Sequence, residues 1–268
     1  MMRSNSLPMY DFPEVQSSTK AILDALSEAF TKLGDLSQAS FPESSIHAYL
    51  MKMWKDEETL FSQSCGLPFV EDLHSYVDIV ATLKWTGISD ERGWYRTVIV
   101  AREELGVASL AEVGGMQPVI TNQQSLSGWC SLGVALSDIG ADASYVLPYV
   151  ESEGHAKSLQ FLQDKRADFA SIDPGTFQLL QRHRPSLTNG LRIIGHGPHV
   201  PATPMHVSKV RMAEFDALQA ATLEVFSRAE LAGARAEIGI DGAVAISASD
   251  YSLIPGLVAR ANAVLPRR

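Results

Sequence analysis

Cysteine is nearly absent from this sequence. Cys65 and Cys130 are the only two in 268 residues, which excludes a disulfide framework and a cysteine-based zinc cluster. No apolar run reaches the roughly 18 residues that a spanning helix needs, so no membrane insertion is expected. Positive charge is in deficit as well. Against 31 Asp and Glu there are 22 Lys and Arg, and the net charge of −9 argues against general affinity for nucleic acid or anionic membranes. No paired carboxylates, nucleophile elbow, metal motif or repeat stands at a diagnostic spacing, so no catalytic residue, metal or cofactor is expected. Met1 to Pro8 holds one basic residue with no apolar segment behind it, so no secretory leader is visible. A periplasmic protein would need a leader outside this sequence; otherwise a cytoplasmic location is expected.

What remains is an ordinary globular composition, 46% hydrophobic and 20% charged, long enough for one large domain or two lobes. Ser6 to Tyr10 reads as a short buried strand. Ile22, Leu23, Leu26, Phe30 and Leu33 share one helical face, with Gly34 as a stop and packing as their only role. A helix over 46–55 and a strand over 58–62 follow, then a tight polar turn, Gln63-Ser-Cys-Gly66. The β-branched runs 77–83 and 96–101 read as strands. Beyond them strand and helix alternate: strands at 118–121, 143–148, 168–173 and 191–195, with helices at 127–137, 156–164 and 176–183. Further helices cover 213–226 and 251–264. Such alternation makes an α/β fold with parallel sheets and helices on both faces.

The most informative stretch is Val119-Ile-Thr-Asn-Gln-Gln-Ser-Leu-Ser-Gly128, an apolar run that ends in polar residues at a helix start. Ser125 and Ser127 place hydroxyls beside the unpaired N–H groups of the first turn, an arrangement that attracts anions. The same residues serve equally as an N-cap, with Gly128 merely accommodating the chain.

Several segments in order give the chain a resemblance: Leu7-Pro-Met-Tyr-Asp-Phe-Pro13, Phe61-Ser-Gln-Ser-Cys-Gly-Leu-Pro-Phe69, Tyr95-Arg-Thr-Val-Ile-Val100, Ser125-Leu-Ser-Gly128, Gly154-His-Ala-Lys-Ser158 and Ala167-Asp-Phe-Ala-Ser-Ile-Asp173. Together they resemble the phosphate/phosphonate-type substrate-binding proteins of ABC transporters over roughly residues 7–208. The resemblance implies the type II periplasmic-binding-protein fold: two lobes, each a mostly parallel sheet flanked by helices, joined by two crossover strands. Lobe 1 would take 1–95 plus 200–268 and lobe 2 would take 96–199. It also implies a small polar, anionic ligand clamped by hinge closure, for ABC-type uptake with a transporter permease as partner or for sensing. Where the family's phosphonate binders carry serine-threonine-serine, this chain has Ser125-Leu126-Ser127, one hydroxyl fewer.

Ligands of open α/β sheets sit beyond the carboxyl ends of strands. That rule selects Tyr10, Gln63, Ser64, Cys65, Asn122, Ser125, Ser127, Gly128, His155, Ser158 and Asp173 as ligand-binding residues, with Tyr95 beside the suspected crossover. Each has a plainer role open to it: Tyr10 as a buried aromatic, Cys65 as a small apolar group, His155 as an exposed histidine at a helix start, Asp173 as a helix cap. An acidic Asp173 also argues against a site wholly dedicated to a dianion and favours an amine or hydroxyl on the ligand. His196, His199 and His206 match no zinc spacing and read as part of an extended crossover strand. The alternative to a solute-binding protein is a cytoplasmic enzyme on the same fold, resembling lyases of menaquinone synthesis or a thiamine-pyrimidine synthase. Its chemistry would rest on Cys65, His155 and Asp173.

Overall fold

The computed structural model describes residues 3–31, 36–38 and 47–268. In chain order it begins with β1 (Arg3–Asn5), α1 (Gln16–Thr31), β2 (Leu36–Gln38), α2 (His47–Lys55) and β3 (Thr59–Gln63). Next come α3 (Gly66–Pro68), β4 (Val77–Trp85), β5 (Trp94–Arg102), β6 (Pro118–Ile120) and α4 (Ser131–Asp138). Then follow β7 (Val150–Glu151), α5 (His155–Gln163), β8 (Phe169–Ile172), α6 (Pro174–His183) and β9 (Leu191–Pro201). The chain continues through β10 (Pro204–Ser208), α7 (Phe215–Ser227), α8 (Ala232–Ile238), β11 (Ile240–Val244) and α9 (Ile254–Val264).

These elements form two compact units. The first holds 1–95 and 201–252, and the second 96–200 and 253–268. In the first, a six-stranded sheet runs β11-β4-β10-β3-β1-β2. β1 lies parallel to β2 and β3, whereas β10 is antiparallel to β3 and β4, and β11 to β4. Its core is aromatic: Trp54, Phe61, Trp85, Phe226 and Tyr251 are all essentially inaccessible. Ile22, Leu23, Leu26 and Phe30 are buried on one face of α1, and Phe30 meets Phe61 with ring centroids 5.7 Å apart. Leu33 and Gly34 lie outside the described residues.

The second unit carries a five-stranded sheet in the order β7-β6-β8-β5-β9. β6 pairs in parallel with both β7 and β8, and β5 is antiparallel to β8. Both sheets are therefore mixed rather than mostly parallel. The parallel pairs are those joined through helices; β5 and β9 carry the chain between units, and strands entered without a βαβ crossover, such as β5 and β10, are free to run the other way. α9, which the sequence reading put with 1–95, packs in the second unit against α4. The reason is a small-residue crossing. A Cβ on Gly133 would stand 2.8 Å from the Ala261 Cα, so only glycine lets the helices approach this closely. An Asp138–Arg260 ion pair and a hydrogen bond from Trp129 Nε1 to the Leu265 carbonyl (2.9 Å) complete the contact.

Other differences from the sequence reading are local. The first strand ends at Asn5, ahead of Ser6 to Tyr10. Residues 143–148 form turns, not a strand, because Asp142 Oδ1 accepts from both the N–H (2.8 Å) and the hydroxyl (2.6 Å) of Ser144 and bends the chain. The strand appears later, as β7. β11 and α8 had no clear pattern in their Ala/Gly-rich sequence. The histidine segment is extended as expected, with His196 and His199 on β9 and His206 on β10. Among the described residues no group of three or more His, Cys, Asp or Glu is placed to hold a metal ion, and no helix is long and apolar enough to cross a membrane.

His206 is wholly buried near the Trp54 ring, and loss of hydration lowers its pKa to about 3. The unfolded chain regains an ordinary value near 6.5 and so binds the extra proton first. Stability from neutral His206 is complete above pH 6.5 and is lost as pH falls toward 3. A melting temperature that declines through this window, with a shallower decline in His206→Leu, is the expected result by circular dichroism.

Candidate functional site

Three parallel strands of the second unit, β7, β6 and β8, each lead into a helix start, and the candidate residues gather there. After β6 the chain makes an Asx turn in which the Gln124 N–H donates to Asn122 Oδ1 at 2.9 Å. Ser125 then caps a π-helical turn, Leu126–Cys130, that runs directly into α4. Its Oγ accepts from the Gly128 N–H at 2.9 Å, so this hydroxyl is spent on the helix itself. Gly128 is required by space, since a Cβ there would lie 2.3 Å from Thr121 Oγ1. Leu126, the middle residue of Ser125-Leu-Ser127, is buried at 3% exposure.

Ser127 differs from its neighbours. Its Oγ lies 2.8 Å from His155 Nε2, the first residue of α5, which follows β7. This one hydrogen bond joins two helix N-termini. α5 has Gly154 at its N-cap and no side-chain capping bond, which leaves its first turn without the side-chain cap that Ser125 and Asp173 supply elsewhere. The other imidazole nitrogen, Nδ1, is inaccessible and without a partner among the described residues. Desolvation lowers the His155 pKa to about 4, with the charge of Asp173 pulling the other way, so the ring is neutral at pH 7.

Asp173, which ends β8, is 3% exposed and caps α6 by accepting from the Thr176 N–H at 2.8 Å. Ser158 is buried and bonds Ser152 across 2.7 Å, an internal contact of the turn before α5. Thus Ser127, His155 and Asp173 come together, while Ser125, Gly128 and Ser158 build the frame around them.

The remaining candidates belong to the first unit. Tyr10 is buried with its ring edge-on to Trp85 at 4.5 Å, and its hydroxyl accepts from Thr203 Oγ1 at 3.4 Å. Gln63 donates to the same Thr203 oxygen at 3.0 Å, and its Oε1 has no partner among the described residues. Both line a small hollow with Leu7, Ile22, Leu83 and Phe226. Ser64 is fully buried, and its hydroxyl has no partner among the described residues. Cys65 is half-buried, forms no disulfide and stands at the N-cap of α3. Gly66 thus opens a helix, so the tight turn expected over Gln63 to Gly66 leads straight into α3. Tyr95 is buried at the point where the chain leaves this unit. Thr203, shared by Tyr10 and Gln63, was missed, because nothing in Ala202-Thr-Pro204 marks a hydroxyl that bonds residues so far back in the chain.

Solved structures share this architecture. The Prochlorococcus marinus (MIT 9301) protein in complex with methylphosphonate superposes with a TM-score of 0.78 at 11% identity, covering 98% of each chain. A binding-protein component of an ABC phosphonate transporter from Pseudomonas aeruginosa gives 0.74 at 14% identity, covering 96% of this chain and 84% of the other. The periplasmic aliphatic sulphonate binding protein of Escherichia coli gives 0.62 at 14%, covering 98% and 79%. No curated protein matches the sequence. The fold is that of the type II periplasmic binding proteins. Residues 7–251 match the family described as ABC transporter, phosphonate, periplasmic substrate-binding protein, and the chain belongs to that family of solute-binding proteins.

Frame and ligand residues should separate by experiment. Ser125→Ala removes a helix cap, which typically costs about 0.5–2 kcal/mol. Gly128→Ala forces Thr121 aside, and overpacking of this kind costs about 1–3 kcal/mol. Both variants are expected to shift urea midpoints downward, whereas Ser127→Ala leaves the midpoint near that of the parent.

Proposed function

We propose that this chain is the receptor of an ABC-type uptake system for a small oxyanion of the phosphonate, phosphate or sulfonate type, which it passes to a permease. One observation carries the reading: the 2.8 Å Ser127–His155 hydrogen bond that brings two helix N-termini to one point. First-turn N–H groups and helix dipoles favour negative charge there, and His155 Nδ1, without a partner among the described residues, is proposed as a further contact. Membership of the family supports the class of ligand.

Asp173 narrows it. A buried carboxylate near the site repels a second negative charge, so a ligand is favoured that carries a proton, an amine or a hydroxyl toward this residue. The Gln63 Oε1 and the Ser64 hydroxyl, which have no partner among the described residues, are proposed as ligand-contacting groups of the first unit in their own right.

Calorimetry with methylphosphonate, phosphate, methanesulfonate and an aminoalkylphosphonate tests the assignment. Binding of at least one is expected, weakened about tenfold or more by Ser127→Ala and His155→Ala. Absence of binding across the panel would refute it.

Anion binding should also carry a proton signature. The bound anion stabilises the imidazolium, so the His155 pKa rises from about 4 on binding. Complex formation therefore takes up protons, and affinity strengthens as pH falls from 7 toward 5 by up to about tenfold per unit of pKa change. Binding heats in buffers of different ionisation enthalpy will report that uptake, which His155→Gln should abolish.

A further inference from the structure

Residues Leu265–Arg268, which follow α9, touch both loops that build the Ser127–His155 pair. On the first loop, the Leu265 carbonyl accepts from Trp129 Nε1 at 2.9 Å, and the Arg267 guanidinium lies over the Trp129 ring, 4.4 Å from its centroid. The Arg268 N–H donates to Gln123 Oε1 at 2.8 Å. On the second, the Tyr149 hydroxyl donates to the Pro266 carbonyl at 3.0 Å. The Arg268 guanidinium lies 4.6 Å from the Tyr149 ring centroid and donates to the Tyr149 carbonyl at 3.3 Å. Tyr149 leads into β7, and β7 leads to His155. Between the loops Gln123 Nε2 donates to Glu151 Oε1 at 2.7 Å, and the Arg267 N–H donates back to Asn262 Oδ1 at 2.8 Å, anchoring the segment to its own helix.

From this convergence we propose that residues 265–268 are a strap whose arginines, Arg267 and Arg268, are positioning residues: they hold the Ser127 loop and the β7–His155 loop in register. Neither arginine need touch the ligand. Ser127 and His155 stand on separate short loops after separate strands, and β7 has only two residues to fix the second of them. Cation–π contacts and carbonyl hydrogen bonds to both sides close the frame that the short strand leaves open. The consequence for ligand affinity rests on the function proposed above; the consequence for the histidine does not.

The test is the double variant Arg267→Ala/Arg268→Ala, with Gln123→Ala as a milder second variant that removes the Arg268 N–H acceptor and the Gln123–Glu151 bond between the loops. Histidine titration is followed by NMR in the unliganded protein, and methylphosphonate affinity is measured in parallel. With the strap loosened, hydration of the half-buried imidazole increases, and the His155 midpoint is expected to rise from about 4 toward 6.5, by about one unit or more, while buried His206 is unmoved. Arg267→Lys with Arg268→Lys keeps the charge and should restore part of the shift. Methylphosphonate affinity should fall about tenfold in the double variant. An unchanged His155 midpoint in both variants, even with a lower melting temperature, overturns the strap. Parent protein that binds no anion overturns the functional reading, while the titration still decides the strap.

Discussion

The site depends on the parallel pairing of β6 with β7 on one side and β8 on the other. Parallel strands end on the same edge of a sheet, and each here is followed by a helix, so three helix N-termini open along one line. Every chemical property of the site descends from that constraint. Ser127 and His155 meet because their strands are neighbours, and Asp173 stands near because its strand flanks β6 on the other side. An antiparallel arrangement would have sent alternate helix starts to opposite edges and left no common point for an anion.

Around that edge the polar groups divide into two kinds. Ser125, Ser158 and Asp173 satisfy donors or hydroxyls of the protein itself, and each gives its loop one conformation. His155 keeps a nitrogen that the described protein groups leave unpaired. Buried polar atoms without partners are costly, and folded proteins keep few of them. A loop built tightly around an unpaired atom is what a binding protein requires: the frame contributes rigidity, and the unpaired atom contributes affinity. The neutral state of His155 belongs to the same arrangement, since dense surroundings that exclude water also disfavour its charge.

Much of the fold was legible in the sequence because period and punctuation agreed. Helix α1 followed its apolar stripe, β4 and β5 their β-branched runs, and the turn into α4 and helix α6 the capping residues Ser125 and Asp173 before them. The resemblance pointed to the fold and family that the comparisons then supported. Mixed sheet direction, the turn at 143–148 and the strand β11 were not legible. Strand direction is set by which partner a strand finds, and Ser144 takes its turn from one Asp142 carboxylate that propensity does not weigh.

At the site the same line divides what each level decided. The sequence by itself determined that serine, histidine and aspartate stand at helix starts after apolar strands, because capping chemistry and hydrophobic period are local properties of the chain. Which of two serines caps the helix and which faces His155 is decided by tertiary structure, since only the folded loop sets Ser125 against the Gly128 N–H and Ser127 against the imidazole. So is the placement of α9: Gly133 and Ala261 are unremarkable small residues until two helices must cross at their contact distance. Local signals name the elements; long-range packing chooses which of their groups are left for a ligand.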